Sequence, residues 1–147
     1  MALVRFIAEA TRRWRRPNSS DAPHIALGRR GEDLAARHLK KAGYKILKRN
    51  FRAPHGGEVD LVCRDTRHNE LVFVEVKTRS TEEFGRPFDA VDAKKRRLII
   101  RGAMTWLRML DMPDITFRFD VVEVIDSEPP GIRVIENAFQ LPDPYAY

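Results

Sequence analysis

The stretch "GGEVDLVCRDTRHNELVFVEVKTR", residues 56–79, constrains this chain more than any other. Two runs rich in β-branched residues flank a polar segment, the signature of an antiparallel hairpin. If Asp60 lies opposite Glu75, the other pairs follow: Glu58 faces Lys77, Val62 faces Phe73 and Arg64 faces Leu71. The connection is then Asp65–Glu70, "DTRHNE". The pleat sends alternate residues to opposite faces. Val59, Leu61, Cys63, Val72, Val74 and Val76 share one face, which belongs to the core. The other face is apolar at Val62, Leu71 and Phe73, and gathers Glu58, Asp60, Glu75 and Lys77 at the end away from the connection.

That register sets two carboxylates side by side, with Cβ atoms about 5 Å apart. Acids that close share a proton, find a cation, or destabilise the fold. A divalent ion held by Asp60 and Glu75 is the simplest resolution, and Mg²⁺ suits two carboxylates completed by water and phosphate oxygens. Lys77 could then position a water or stabilise charge developing on phosphate. The competing reading is a solvated ion cluster in which Lys77 merely neutralises Glu58, Asp60 and Glu75.

The pattern on either side predicts the rest. Residues 24–42 read as a helix with a buried stripe of Leu27, Leu34, Ala35, Leu39 and Ala42, stopped by Gly43. Gly31 inside it marks close packing. Residues 44–52 read as a strand, 53–57 as a turn, 80–88 as a loop and 89–110 as a second helix with a basic first half. Residues 115–126 and 131–139 read as strands, the last at an edge, joined by the turn "EPPG". The order α-β-β-β-α-β-β is that of a mixed α/β sheet flanked by helices. Residues 1–16 have the spacing of a short amphipathic basic helix, and "RPNSSDAP" reads as a linker. The expected division is an arm and linker over 1–23 and one domain over 24–147.

Charge adds a partner class. Residues 1–110 hold 25 Lys and Arg against 13 Asp and Glu, whereas 111–147 hold 2 against 8. A basic body suits a polyanion, nucleic acid first. Cys63 is the one cysteine, so a cysteine zinc site is excluded and a reducing, cytoplasmic setting is expected. No apolar run reaches the roughly 20 residues of a membrane span, so no integral membrane association is expected.

Asp60, fourteen intervening residues and then Glu75-Val76-Lys77 resemble the PD-(D/E)xK nuclease signature. Together with "GRRGEDLAARHLKKAGYKILKRNFR", "GGEVDLV", "LVFVEVKTR", Phe84-Gly85 and "KKRRL", they resemble the YraN-like family of candidate endonucleases over about residues 27–125. That family is similar to archaeal Holliday junction resolvases and other restriction-endonuclease-like folds. The resemblance implies a mixed sheet with a helix on each face and a metal-dependent phosphodiesterase site on the central hairpin. It implies Asp60, Glu75 and the helix residue Glu32 as Mg²⁺ or Mn²⁺ ligands, and Lys77 as the signature lysine. "GEVD" stands where "PD" is usual, which raises Glu58 as a further ligand.

The expected activity is metal-dependent hydrolysis of DNA phosphodiester bonds, on branched or structured DNA. A resolvase role would require a homodimer to cut two strands. The alternative is a non-catalytic nucleic-acid-binding or assembly protein on a nuclease fold. A weaker third reading is a membrane-associated adaptor that uses residues 1–16. Arg79, which shares the face of Lys77, could touch phosphate; Lys94, Lys95, Arg96 and Arg97 must span more than one helix face, so some of them are solvated and some are expected to meet backbone phosphate, through salt-sensitive contacts. His24, His38, His55 and His68 lack metal-ligand spacing, Trp14 and Trp106 read as packing residues, and Asp120 reads as structural.

Overall fold

The structure, a computed structural model, describes residues 23–79 and 91–143. The N-terminal arm with Trp14, most of the linker and the 80–88 loop with Phe84-Gly85 lie outside the described residues. Helix α1 spans Pro23–Lys41. Strands β1 (Tyr44–Arg52), β2 (Glu58–Asp65) and β3 (Glu70–Arg79) follow. Helix α2 (Ala93–Met109) then leads to β4 (Phe117–Ile125) and β5 (Gly131–Phe139).

The strands form one sheet in the order β1-β2-β3-β4-β5. β3 and β4 pair in parallel and the other neighbours are antiparallel, so the sheet is mixed and β3 is its centre. A parallel pair needs a crossover, and α2 lies within it. The expected order α-β-β-β-α-β-β is the observed one.

A helix covers each face. On one, Ala35, Ala36 and Leu39 of α1 cluster with Leu61, Cys63, Val72, Val74, Val122 and Val124. On the other, Ile99, Ala103, Trp106 and Leu107 of α2 cluster with Val62, Leu71, Phe73, Phe119 and Val121. Strands buried on both sides read as near-continuous apolar runs. That explains why both faces of the hairpin looked apolar in the sequence. Each such side chain contributes about 1.5–3 kcal/mol by leaving water.

The hairpin keeps the expected register from Leu61↔Val74 to Arg64↔Leu71. Two details differ. Asp65 and Glu70 also pair, so the connection is Thr66–Asn69 rather than Asp65–Glu70. Asp65 is buried and bound by Arg67 and Arg118, which extends the ladder, and Asn69 takes the left-handed backbone at φ 53° that closes the turn. At the other end Val59 leaves the face of Leu61 and joins Phe51 in the α2-side cluster. Pairing with β3 has stopped at Leu61, and Asn50 on β1 is left-handed at φ 51°, so the strands turn over there.

Helix boundaries shift by a few residues. The Asp92 side chain accepts a hydrogen bond from Lys95 N at 2.8 Å, a cap that starts α2 at Ala93 rather than at 89. In α1 the stripe moves round: Gly31, Ala35, Ala36 and Leu39 are buried, Leu27 is half-buried and Ala42 exposed. The cause is Gly31, where a Cβ would run into Thr78 Oγ1 of β3, so the helix lies closest to the sheet along that line. Strand β4 begins at Phe117 and ends at Ile125, inside the expected 115–126.

Candidate metal and nucleic-acid site

The site forms where β2 and β3 part. Beyond Leu61↔Val74 no backbone pair joins them, and the Asp60 carboxylate instead accepts the Val76 N–H at 2.8 Å. A side chain has taken the place of a strand carbonyl. This anchors Asp60 against β3 and leaves its remaining oxygen beside Glu75.

Glu75 is mostly buried, at 12% side-chain exposure, and its Oε2 has no hydrogen-bond partner among the described residues. Burial first, and then the Asp60 charge, push its carboxyl up to about 9, so that it holds a proton at neutral pH. In the protonated form it shares a hydrogen bond with Asp60. Two acids with one proton are what the sequence register implied in the absence of a metal.

Lys95 supplies the local cation. Its Nζ bonds Glu58 and stands 3.5 Å from Glu75 Oε1. Burial disfavours the ammonium, but Glu58, Glu75 and Asp60 outweigh that and hold it charged. Lys95 was expected to face phosphate with its neighbours on α2. The structure turns it inward instead, and the spacing could have shown this. Lys95, Ile99, Ala103 and Trp106 recur at helical intervals, and the last three are buried.

Glu58 does not face Lys77. It pairs with Arg52 on β1, and its carboxylate meets Arg52 Nη1 at 3.4 Å and Lys95. The parting of β2 and β3 removes the register that the opposed pair required. The hydrogen bond from Lys95, against the opposing effect of burial, holds Glu58 below the ordinary carboxylate range. Glu32 looks toward the site from α1. Burial, followed by the Asp60 charge, pushes its carboxyl up, while Asn50 Nδ2 donates to Glu32 Oε2 at 3.1 Å. Asn50 escaped the sequence reading, although its left-handed φ is a conformation that Asn favours.

The structure therefore brings Asp60, Glu75 and Lys95 together, with Glu58 beside Lys95 and Glu32 within electrostatic reach. Among the described residues no group of three His, Cys, Asp or Glu side chains is close enough to hold a metal alone. The donors that do meet are carboxylate oxygens, the hard ligands that Mg²⁺ and Mn²⁺ take. Glu75 Oε2, buried and without a donor among the described residues, is an oxygen that could take such an ion.

Lys77 is half-buried two residues beyond Glu75 and pairs in register with Glu123 on β4. Arg79 Nε lies 3.4 Å from Glu123 Oε2. On α2, Lys94 and Arg97 are exposed. Arg96 instead donates to Val91 O at 3.0 Å, and its guanidinium lies 5.6 Å from the centre of the Phe139 ring. The run "KKRR" thus divides among solvent, site and core edge. His55 is an exposed turn residue whose carbonyl accepts from Arg101 at 3.1 Å. Trp106 packs edge-on to Phe51 at 5.2 Å, as a core residue.

Comparison with known proteins adds a family. The profile of the uncharacterised protein family UPF0102 matches residues 31–124. A UPF0102 protein of Geobacter sulfurreducens is 49% identical over 117 residues, covering 78% of this chain and 89% of its own. One from Dechloromonas aromatica is 46% identical over 118 residues, covering 80% and 92%. One from Solibacter usitatus is 42% identical over 140 residues, covering 95% and 99%.

Proposed function

The chain belongs to the UPF0102 or YraN family, and from that premise we propose that it is a cytoplasmic, metal-dependent endonuclease-like protein that hydrolyses DNA phosphodiester bonds, in branched or structured DNA. One observation carries the reading: Asp60 and Glu75 meet where the central hairpin opens, and Glu75 is buried, with Oε2 lacking a donor among the described residues. A purely structural acid pair would be expected to recruit an arginine, as the acids at the far end of the same hairpin do.

Asp60 and Glu75 would hold Mg²⁺ or Mn²⁺, with Glu32 acting from α1. When bound, the ion supplies an activated water and offsets charge on the phosphate. Asp60 is kept in place by Val76 N–H, so its free oxygen has a fixed direction. Glu75 must give up its proton for the ion to be held, and metal affinity therefore rises with pH toward about 9. Lys77, on the same face of β3, offers an ammonium to a phosphate oxygen. Lys95 neutralises Glu58 and Glu75, and the exposed Lys94 and Arg97 meet flanking phosphates. Cutting both strands of a junction would use a homodimer.

The test is cleavage of labelled single-stranded, duplex, flap and four-way-junction DNA with Mg²⁺, Mn²⁺ or EDTA. Metal-dependent cutting that falls about a hundredfold or more in Lys77→Ala is expected. Binding without cutting in either metal would replace this reading by a non-catalytic nucleic-acid-binding protein. Calorimetry with Asp60→Asn checks the ligand itself, since unchanged Mg²⁺ affinity would remove Asp60 from the site.

A further inference from the structure

Glu58 stands beside the two acids, yet each of its own oxygens already meets a cation. Lys95 Nζ donates to its Oε1, and Arg52 Nη1 lies 3.4 Å from its Oε2. Lys95 has two acid partners in turn: a hydrogen bond to Glu58, and a longer ion pair to Glu75 Oε1 at 3.5 Å. These carboxylates belong to separate strands, β2 and β3. The ammonium stands between them on a flexible four-carbon stem that can lean to either. The backbone on which this balance rests is fixed. The start of β2 packs on Gly102 of α2, two turns along the helix from Lys95 and on the same side.

We propose that Glu58 is a positioning residue for the neighbouring metal site: it holds the Lys95 ammonium on the β2 side, so that a divalent cation can take the Asp60 and Glu75 carboxylates without competing with the lysine for them. An ion of the Mg²⁺ class needs Glu75 ionised, and an ionised Glu75 attracts the nearest ammonium as well. The two cations are then rivals for one carboxylate. A charge-assisted hydrogen bond to Glu58 gives the ammonium a partner of its own, and the Glu58 charge offsets its repulsion of the arriving ion. Without Glu58, the acid that Lys95 still contacts among the described residues is Glu75. Glu58 thus acts through Lys95 and not as the further ligand that its place in "GEVD" raised.

The inference rests on the metal reading of Asp60 and Glu75, but its test is metal affinity and lysine position rather than cleavage. Mg²⁺ and Mn²⁺ are titrated by calorimetry into the full chain as wild type, Glu58→Gln, Lys95→Met and the double variant. Glu58→Gln is expected to weaken binding about tenfold when Lys95 is present and at most about threefold in the Lys95→Met background, a coupling of the size found between contacting residues. A metal ligand, or a charge acting through space alone, would give the same loss in both backgrounds. Lys95→Met by itself should tighten binding. Glu58→Asp keeps the charge and shortens the reach to Lys95, so it should show the same dependence on Lys95 at reduced size. That variant carries the cycle if circular dichroism shows Glu58→Gln to be unfolded. A crystal structure of metal-free Glu58→Gln or Glu58→Asp should show Lys95 Nζ drawn to within hydrogen-bond distance of Glu75 Oε1. Equal losses with and without Lys95, or an ammonium that has not moved in that crystal, would overturn the positioning role and leave the metal reading standing. Coupled metal binding with no DNA cleavage would overturn the nuclease reading alone, and a wild type that takes neither metal would overturn both.

Discussion

The two ends of the β2–β3 hairpin carry similar acids and treat them in opposite ways. At the closed end, Asp65 and Asp120 are fully buried and Glu70 lies beside them. Arg118 reaches all three, at 3.0 Å from Asp65, 2.8 Å from Glu70 and 3.0 Å from Asp120. Arg67 adds a second bond to Asp65 at 2.9 Å, and Tyr44 Oη takes an N–H from each arginine. Asp120 also accepts the Asn137 N–H at 2.9 Å. At the open end one lysine is shared by Glu58 and Glu75, Arg52 meets Glu58 alone, and one Glu75 oxygen has no donor among the described residues. The closed end is electrostatically complete by itself. The open end balances its acids with Lys95 and with the proton that burial favours on Glu75.

The comparison breaks most severely at Arg118. Arg118→Ala leaves Asp120 buried without its cation and Asp65 with Arg67 alone, and urea unfolding should show a loss of about 3–5 kcal/mol. A loss under about 1 kcal/mol would mean that the network adds little beyond packing. Next is Gly31→Ala, which drives a Cβ into Thr78 Oγ1 and lifts α1, with Glu32, from β3. A cost of about 1–3 kcal/mol is expected, largely recovered when Thr78→Ala is added. Absence of that recovery would place the strain elsewhere in the helix.

The open end can be relieved rather than broken. Glu75 has a folded pKa raised from 4.5 to about 9, so the folded chain binds the extra proton between those values. Its contribution to stability is complete below 4.5 and is lost as pH rises to about 9. Asp65 behaves in the opposite sense. Its folded pKa is lowered, chiefly by the hydrogen bond from Arg67, so its contribution is present above 3.8 and lost as pH falls further. Glu75→Gln should therefore raise the metal-free stability near pH 8.5 by several kcal/mol, with little change near pH 4.5. An equal change at both pH values would show that the Glu75 carboxyl is not raised in the folded chain. Smallest of all, Arg97→Ala on the exposed side of α2 should leave stability within about 0.5 kcal/mol while lowering the salt slope of DNA binding by about one.

How much of this was legible depends on how far apart the partners lie in the chain. The register of the hairpin was legible once Asp60 is set opposite Glu75, and the pairs from Leu61↔Val74 to Arg64↔Leu71 agree with it. Alternation alone leaves shifts of two residues open. Where the ladder would stop was not, since that depends on Asn50 in β1 and on a side chain replacing a strand carbonyl. Glu58 was assigned to Lys77 for this reason, although its cations come from Arg52 and from Lys95 on α2. The closed-end network draws on β1, β2, β3, β4 and β5, and Asp120 alone could only be read as structural. The ion pair of Arg133 with Glu123 has no local signal at all, because it exists only through the register of β5 on β4.

One contact sets the working tolerance of the open end. Gly57, at φ +104°, has room for no Cβ because Gly102 N would lie 2.5 Å from it, and a Cβ on Gly102 would meet Glu58 N at 3.0 Å. The turn entering β2 therefore rests on α2 backbone to backbone, with no rotamer between them. The gap spanned by Lys95 and Glu58 is gauged by peptide units rather than by side chains. Core residues elsewhere can be exchanged for others of similar volume without moving that gauge, whereas a single methyl group at either glycine would reset it.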